Sequence, residues 1–176
     1  MYRERQDISD ALQKVLGDQI SSIYLRARKT LPQRFQEEAI DGFLMGNSAE
    51  ATVKEIGHSF KINAATGQKT GFFLDQTDNR QLLAYYAKDK TVLNTFCYTG
   101  GFSIYALKAG ATQVDSIDVS AKAMLLTEEN VTLNELAEDR HNAITSDVLQ
   151  FLRKQETPYD IVVVDPPAYA KSFNKR

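Results

Sequence analysis

The sequence predicts an α/β fold, in which a parallel sheet with packed helices is preceded by a small α+β unit. From Thr91 onward, short apolar segments alternate with helical patterns, and this alternation is typical of βαβ units. The segment Ile161–Val164 is apolar throughout, as expected of a central strand that is covered on both faces. Before Gly67 the pattern instead combines one amphipathic helix with short alternating strands.

The first third of the chain predicts one helix followed by several short strands. Ile8, Leu12 and Val15 lie at helical spacing within residues 7–16, and Gly17 follows where a helix cap is expected. Strands are expected at residues 20–28, 42–45, 51–56 and 59–62, separated by turn-forming segments. We expect this α+β unit to occupy residues 1–66 and the parallel-sheet domain to occupy residues 67–176.

Helices and strands alternate regularly through the second part of the chain. A helix is expected over residues 79–88, and Ser120 is placed to cap a later helix at its N-terminus. Strands are expected at 92–96, 114–117, 143–145 and 161–164, and helices at 103–108, 121–134 and 148–154.

Composition excludes several classes of protein. The 176 residues carry a net charge of −2, which neither supports nor excludes an RNA substrate. No segment approaches the roughly 20 apolar residues of a membrane span, and the start lacks a signal peptide, so we expect a cytoplasmic protein without membrane attachment. Cys97 is the only cysteine, and His58 and His141 are far apart in sequence, so neither a disulfide nor a metal site is expected.

The residues after each strand should hold any ligand, because ligands bind at the carboxyl ends of parallel strands. After the first strand come Gly100 and Gly101, which let the backbone turn tightly and approach a ligand. This segment does not match the G-x-G-x-x-G fingerprint of dinucleotide binding, so NAD is not expected. Taken alone, the two glycines are equally compatible with a plain strand–helix turn.

Two carboxylates follow the next two strands. Asp118 lies about 20 residues beyond the glycine turn, as expected for an acidic residue that accepts hydrogen bonds from both hydroxyls of a ribose. Asp147 lies at the same predicted edge, where it could accept a hydrogen bond from an adenine amino group. The alternative for Asp147 is an N-cap of the helix at 148–154, and the two roles are compatible.

The last strand ends in Asp165-Pro166-Pro167-Ala168-Tyr169. Two prolines fix both φ angles and remove two backbone donors, which makes the loop rigid and leaves its carbonyl groups free to face a ligand. A rigid carboxylate with a nearby aromatic ring can hold a flipped-out nucleobase. We therefore expect Asp165 and Pro166 to act at the base, with a simple strand-ending turn as the alternative.

Together these segments resemble the class I methyltransferases of the bacterial large-subunit ribosomal RNA cytosine-C5 methyltransferase family. Residues 67–76 with Asn79-Arg80 are similar to the family's lead-in segment, which closes over the cofactor. Residues 92–102 resemble its glycine motif, and residues 165–171 resemble its fourth motif. The resemblance implies a Rossmann-like class I methyltransferase sheet, of which this chain carries the first four parallel strands, and S-adenosylmethionine as cofactor. It implies a cofactor pocket lined by Phe73, Asp75, Arg80, Tyr98, Gly100, Asp118 and Asp147.

The function implied by the resemblance is methylation of cytosine C5 in large-subunit ribosomal RNA. That reaction requires a thiolate that adds to C6 of the ring. Cys97 lies in the loop that carries Gly100 and Gly101, called the glycine loop below, and not in the loop that carries Asp165 and Pro166. In the family that the sequence resembles, the nucleophile lies in a later motif. We therefore predict that Cys97 is a small buried residue. Two alternatives stay open. One is methylation of another base atom such as guanine N7, which needs no cysteine, and the other is a cofactor-binding fragment without activity.

The resemblance also implies that the chain is truncated at both ends. The family usually begins with an RNA-binding PUA domain, and its class I sheet has seven strands in the order 3-2-1-4-5-7-6. Only the first four can be placed before Arg176. The strand at 161–164 would then be an exposed apolar edge, and such an edge invites pairing with another chain. A homodimer is therefore a further expectation.

Overall fold

The computed structural model describes residues 2–28, 31–68 and 71–167, and it divides into two compact units. The smaller unit comprises Met1–Thr52 and Ile62–Phe73, and the larger comprises Val53–Lys61 and Leu74–Arg176. The domain boundary expected after residue 66 stays a prediction. No helix in these described ranges is long and apolar enough to cross a membrane.

Among its described residues, the smaller unit contains two α-helices and a pair of antiparallel strands. Its elements are α1 (Arg5–Leu16), β1 (Ile23–Leu25), α2 (Gln33–Gln36) and β2 (Gly42–Met45). Strands β1 and β2 pair antiparallel, and the rings of Tyr24 and Phe43 meet edge to face across them, with centroids 4.9 Å apart. As predicted, α1 ends at Gly17, which has a φ of 50°.

Strand β1 is much shorter than the segment 20–28 that the alternating pattern predicts. A 3-10 turn over Gly17–Gln19 precedes it and leads the chain into Ile20. At its other end, the backbone amides of Ala27 and Arg28 donate to Oδ1 of Asp41, at 2.7 and 2.9 Å. Because these amides bind a side chain, they do not continue the ladder with β2.

Strands β3 (Glu50–Glu55) and β4 (His58–Asn63) form a separate two-stranded sheet. The turn between them places Ile56 and Gly57 at φ values of 47° and 78°. Two successive residues with positive φ are the geometry that matches the twist of a tight hairpin. Residues of this hairpin belong to both units.

The larger unit contains the predicted parallel sheet. Its elements after the hairpin are α3 (Thr77–Ala87), β5 (Thr91–Thr95), α4 (Gly101–Lys108), β6 (Gln113–Asp118), α5 (Ala121–Leu133), β7 (His141–Thr145), α6 (Val148–Lys154) and β8 (Ile161–Val164). The four strands are parallel and lie in the order β7-β6-β5-β8. In order of appearance this is 3-2-1-4, so the sheet implied by the resemblance is confirmed.

One face of the sheet carries a core built on Leu93, Ile117 and Val148, against which Phe96 and Phe151 pack. The other face buries Val92 and Val114 completely. Side chains alternate between the faces because successive residues of a strand point in opposite directions. Both faces of β5 and β6 are therefore covered.

The interpretation of β8 as a central strand is wrong for the part of the chain that the structure describes. Within these residues β8 pairs only with β5 and forms the edge of the sheet. Val162 and Val164 are 47% and 60% exposed. The expectation of an exposed apolar edge is confirmed. An apolar sequence indicates that a strand can be buried on both faces. It does not determine whether another strand or helix covers it.

Candidate cofactor site

The loop between β5 and α4 has an unusual backbone. Phe96, Tyr98 and Gly100 have φ values of 54°, 51° and 75°. For residues other than glycine the left-handed region costs about 1–2 kcal/mol each, so tertiary contacts must hold this loop in place. At Gly100, a Cβ atom would lie 2.5 Å from Cγ2 of Thr127. Only glycine fits there without displacing α5.

Polar side chains of α5 hold the same loop by its carbonyl groups. The Thr127 hydroxyl lies 3.1 Å from the carbonyl oxygen of Tyr98, and Nδ2 of Asn130 donates to the carbonyl of Thr99 at 3.0 Å. Thr127 and Asn130 are completely buried. Neither residue was predicted from the sequence. The signal was available, because they are polar residues within the apolar stripe that contains Met124 and Val131.

Asp118 ties the end of β6 to the glycine loop. Its Oδ2 accepts a hydrogen bond from the backbone amide of Tyr98 at 3.0 Å, and its Oδ1 accepts one from the amide of Ser120 at 2.9 Å. Each carboxylate oxygen has a second lone pair, so further donors can be accepted. The structure thus brings together Tyr98, Gly100 and Asp118, three of the residues that the sequence analysis selected.

Asp147 lies at the same carboxyl end of the sheet as Asp118, directly after β7. Its Oδ1 accepts a hydrogen bond from the amide of Gln150 at 2.8 Å, so the predicted N-cap of α6 is confirmed. The neighbouring amide of Ser146 donates to the carbonyl of Asp118 at 3.0 Å. The carboxylate of Asp147 is exposed, and one of its oxygens is not used by the cap.

Arg80 on α3 is buried, with an exposed fraction of 2%. Its Nε donates to Oε2 of Glu55 at 2.8 Å, and its Nη2 donates to Oε1 at 2.7 Å. Thr77 and Tyr105 contact the same carboxylate through their hydroxyl groups, at 2.6 and 2.8 Å. The structure therefore places the Arg80 guanidinium in a buried ion pair. Arg80 was predicted from the family resemblance, whereas Glu55 and Tyr105 were not predicted.

Cys97 is buried, as predicted, with an exposed fraction of 7%. Burial raises the pKa of its thiol, and the negative charge of Asp118 raises this pKa further. A thiol must ionise before it can act as a nucleophile. Cys97 is therefore unsuited to nucleophilic catalysis at neutral pH.

The remaining selected residues are more dispersed. Asp165 and Pro166 are exposed and follow β8. Because β8 runs parallel to β5, both residues lie at the carboxyl end of the sheet. Asp75 is exposed in a 3-10 turn, Leu74–Gln76, of the larger unit, while Phe73 is half-buried in the smaller one. Tyr169 of the fourth motif, like the rest of residues 168–171, and residues 69–70 of the lead-in lie outside the described residues. Among the side chains that are described, no group of three His, Cys, Asp or Glu could hold a metal ion.

Known proteins resemble this chain along nearly its full length. The protein called ribosomal RNA large subunit methyltransferase I from Vibrio vulnificus is 39% identical over 176 residues, covering 96% of this chain and 44% of its own length. The protein of the same name from Alteromonas mediterranea is 37% identical, covering 95% of this chain and 43% of its own length. This chain thus spans less than half the length of these relatives.

A solved structure has the same fold. The crystal structure of "SMU.776, a putative methyltransferase complexed with SAH" superimposes with a TM-score of 0.79 at 29% identity, and the match covers 97% of this chain and 44% of that one. The sequence pattern of the family described as S-adenosylmethionine-dependent methyltransferase matches residues 4–174. Sheet order, glycine loop and family pattern agree, and the chain belongs to the S-adenosylmethionine-dependent methyltransferase family.

Proposed function

We propose that this protein binds S-adenosylmethionine at the carboxyl ends of β5, β6 and β7 and transfers its methyl group to large-subunit ribosomal RNA. The observation that carries the proposal is the direct hydrogen bond between the Asp118 carboxylate and the glycine loop at Tyr98. This bond fixes the position of Asp118 relative to the loop that carries Gly100. A bound nucleoside requires an acceptor for its two ribose hydroxyls, which Asp118 supplies. It also requires backbone that it can approach closely, which Gly100 supplies.

The chemistry of the residues present fits this cofactor. The carboxylate oxygens of Asp118 have lone pairs left for the two ribose hydroxyls. Gly100 has no side chain to exclude a ligand, and the free oxygen of Asp147 can accept from an adenine amino group. We propose that Asp75 of the lead-in completes the pocket, and the role expected for Phe73 stays a prediction. When bound, the cofactor supplies an electrophilic methyl group, and this chain supplies the positioning.

The RNA substrate is proposed from the relatives. Those with 37–39% identity carry the name ribosomal RNA large subunit methyltransferase I, and SMU.776 is a complex with SAH, the demethylated product of the cofactor. With ribosomal RNA as substrate, a cytoplasmic location is proposed as well. A homodimer formed through the apolar edge of β8 stays a prediction.

Cytosine C5 is the proposed target atom, with Asp165 and Pro166 at the base. This reaction requires an ionised thiol, and burial of Cys97 excludes that residue from the role. Cytosine methylation therefore requires a thiol other than Cys97. The second candidate, methylation of a base atom such as guanine N7, needs no thiol.

Calorimetric titration with SAH tests the cofactor site. We expect wild-type protein to bind SAH and not NAD. Asp118→Ala should weaken SAH binding by about 1–3 kcal/mol, the cost of leaving buried hydrogen-bond partners unmet. Glu128→Ala is the matched control, because Glu128 is an exposed acid on α5.

Failure of the wild-type protein to bind SAH would refute the proposed cofactor site. Unchanged affinity in a folded Asp118→Ala variant would remove Asp118 from it. Incorporation of labelled methyl groups into ribosomal RNA, followed by identification of the modified nucleoside, then decides between cytosine C5 and another base atom.

A further inference from the structure

The Glu55 carboxylate, at the end of β3, receives hydrogen bonds from two helices of the larger unit. Arg80 and Thr77 of α3 and Tyr105 of α4 all contact it, at distances from 2.6 to 2.8 Å. The Arg80 and Glu55 side chains are 3% and 9% exposed. Burial raises the pKa of the Glu55 carboxyl, but hydrogen bonds from Arg80, Thr77 and Tyr105 outweigh it, and the net pKa lies below the ordinary value of 4.5. The Glu55 carboxyl is therefore ionised at neutral pH.

This buried cluster fixes the beginning of α3. The hydroxyl of Thr77 lies 2.6 Å from Oε1 of Glu55 and 2.7 Å from the carbonyl oxygen of Leu74. Leu74 opens the 3-10 turn that carries Asp75. The segment directly before α3 is thus tied to the same carboxylate.

The cluster also fixes the beginning of α4, which follows the glycine loop. A Cβ atom on Gly101 would lie 3.3 Å from Cδ of Arg80, so the first residue of α4 rests on the Arg80 side chain. One turn later, the hydroxyl of Tyr105 donates to Oε2 of Glu55. The Tyr105 ring is stacked on His58, with centroids 3.7 Å apart and planes inclined by 16°.

Net stability alone does not explain a charged pair at this place. Removing two charges from water costs several kcal/mol per ion, and well-packed apolar residues of the same volume are often as stable or more stable. A planar guanidinium that binds both oxygens of a carboxylate instead sets one relative orientation of the elements that carry them. The elements set here are the end of β3, the start of α3 and the start of α4.

We infer that Glu55 and Arg80 are positioning residues for the cofactor site. The ion pair holds the N-terminus of α4, and with it the glycine loop at Gly100, against the turn that carries Asp75. Arg80 acts through Gly101 and Glu55 rather than by touching the cofactor. This inference rests on the proposed function, because it assigns the cluster to the binding of S-adenosylmethionine.

Two variants of the full chain test the inference, with SAH as the probe. Glu55→Gln keeps the shape of the side chain and removes its charge, and we expect SAH affinity to fall at least tenfold. Val92→Ala is the matched control, because Val92 is fully buried at the amino end of β5 and is remote from the glycine loop. It should lower the melting temperature and change SAH affinity less than twofold. Hydrogen exchange of the amides of residues 99–104 should rise in Glu55→Gln and not in Val92→Ala.

The double variant Glu55→Leu with Arg80→Met separates positioning from stability. We expect it to recover the melting temperature that Glu55→Gln loses while SAH affinity stays low. A stable double variant with wild-type affinity overturns the inference, as does equal affinity of Glu55→Gln and Val92→Ala. If wild-type protein itself fails to bind SAH, the proposed function fails and the inference fails with it. Wild-type binding with unchanged affinity in Glu55→Gln refutes the positioning role alone.

Discussion

Strands β5 and β8 lie side by side in the larger unit, and the more polar of the two is the better buried. Strand β5 contains Asn94 and Thr95, which are 1% and 0% exposed, whereas β8 is entirely apolar and has Val162 and Val164 largely exposed. Their positions in the sheet explain the difference. Strand β5 lies between β6 and β8, and β8 is at the edge of the described sheet.

Polar residues are tolerated in β5 because each has a hydrogen-bond partner. Nδ2 of Asn94 donates to Oγ of Ser103 at 2.9 Å, and the hydroxyl of Thr95 donates to the carbonyl of Val163 at 2.7 Å. Buried polar groups without such partners would cost about 1–3 kcal/mol each. The cofactor end of β5 is therefore built into the core, while Asp165 and Pro166 follow a strand with one face still in solvent. Among the described residues, the proposed cofactor site is thus more completely packed than the proposed base site.

Replacement of Gly100, in the loop that follows β5, should lower the free energy of unfolding more than any other substitution proposed for this comparison. Gly100→Ala forces a side chain into the left-handed region and against Cγ2 of Thr127, and we expect a loss of about 3 kcal/mol in the free energy of unfolding. Urea denaturation measures the loss. Gly57→Ala is the matched control, because Gly57 has a φ of 78° and nothing within 4 Å of its Cβ position. It should show the backbone strain alone, about 1 kcal/mol.

A second substitution separates steric overlap from backbone strain. Thr127→Ser removes the methyl group and keeps the hydroxyl, so Gly100→Ala should cost less in that background. Equal losses for Gly57→Ala and Gly100→Ala would contradict the close approach of the glycine loop to α5.

A pair of valine substitutions sharpens the contrast between centre and edge. Val114 in β6 is completely buried and Val164 in β8 is 60% exposed. We expect Val114→Ala to lower the free energy of unfolding by about 2 kcal/mol, through lost burial and the cavity left behind. Val164→Ala should cost less than about 1 kcal/mol.

The control for this pair is protein concentration. If Val164→Ala costs as much as Val114→Ala, and the cost grows with concentration, β8 is covered in solution by a second copy of the chain. That outcome would support the predicted homodimer and contradict the exposed edge as the state in solution.

The elements of the sheet could be predicted from sequence because each depends on local signals. The strands and helices from Thr91 onward begin and end within two residues of the predicted bounds. Apolar periodicity and helix caps such as Ser120 and Asp147 depend only on residues that are close in sequence. Strand β1 was predicted too long because the competing acceptor, Asp41, is 13–14 residues away in sequence. An alternating pattern does not identify such a partner.

The candidate site could be predicted only in part for the same reason. Glycines and acids that follow strands have a recognisable position, and they include Gly100, Asp118 and Asp147. Glu55 has no such position, because its partners Arg80 and Tyr105 are 25 and 50 residues away. A single sequence does not reveal pairs of that separation. The family resemblance did indicate Arg80, but not the side chain that it binds.

The smallest expected effect concerns pH and the chain of buried hydroxyls below the glycine loop. Oγ of Ser103 and Oγ of Ser116 lie 2.7 Å apart, and Oγ of Ser116 lies 2.8 Å from Nε2 of His141. Burial lowers the pKa of His141 below its ordinary value of 6.5, and the charge of Asp115 only partly opposes this effect. Protonation therefore favours the unfolded chain, in which His141 has its ordinary pKa. Stability should be complete above pH 6.5 and should fall as the pH drops below that value.

The measurement is the free energy of unfolding in urea between pH 7.5 and pH 5.5, a window that lies above the ordinary pKa of the carboxyl groups, about 4. His58 contributes in the same direction, because burial lowers its pKa as well. His141→Gln should therefore reduce the dependence on pH without abolishing it, and His58→Gln should remove a further part in the double variant. A pH dependence identical in wild type and His141→Gln would show that His141 is no more buried than in the unfolded chain. The hydroxyl chain that connects β7 to α4 through Ser116 would then not form in solution, and α4, the helix that follows the glycine loop, would lose this contact with the sheet.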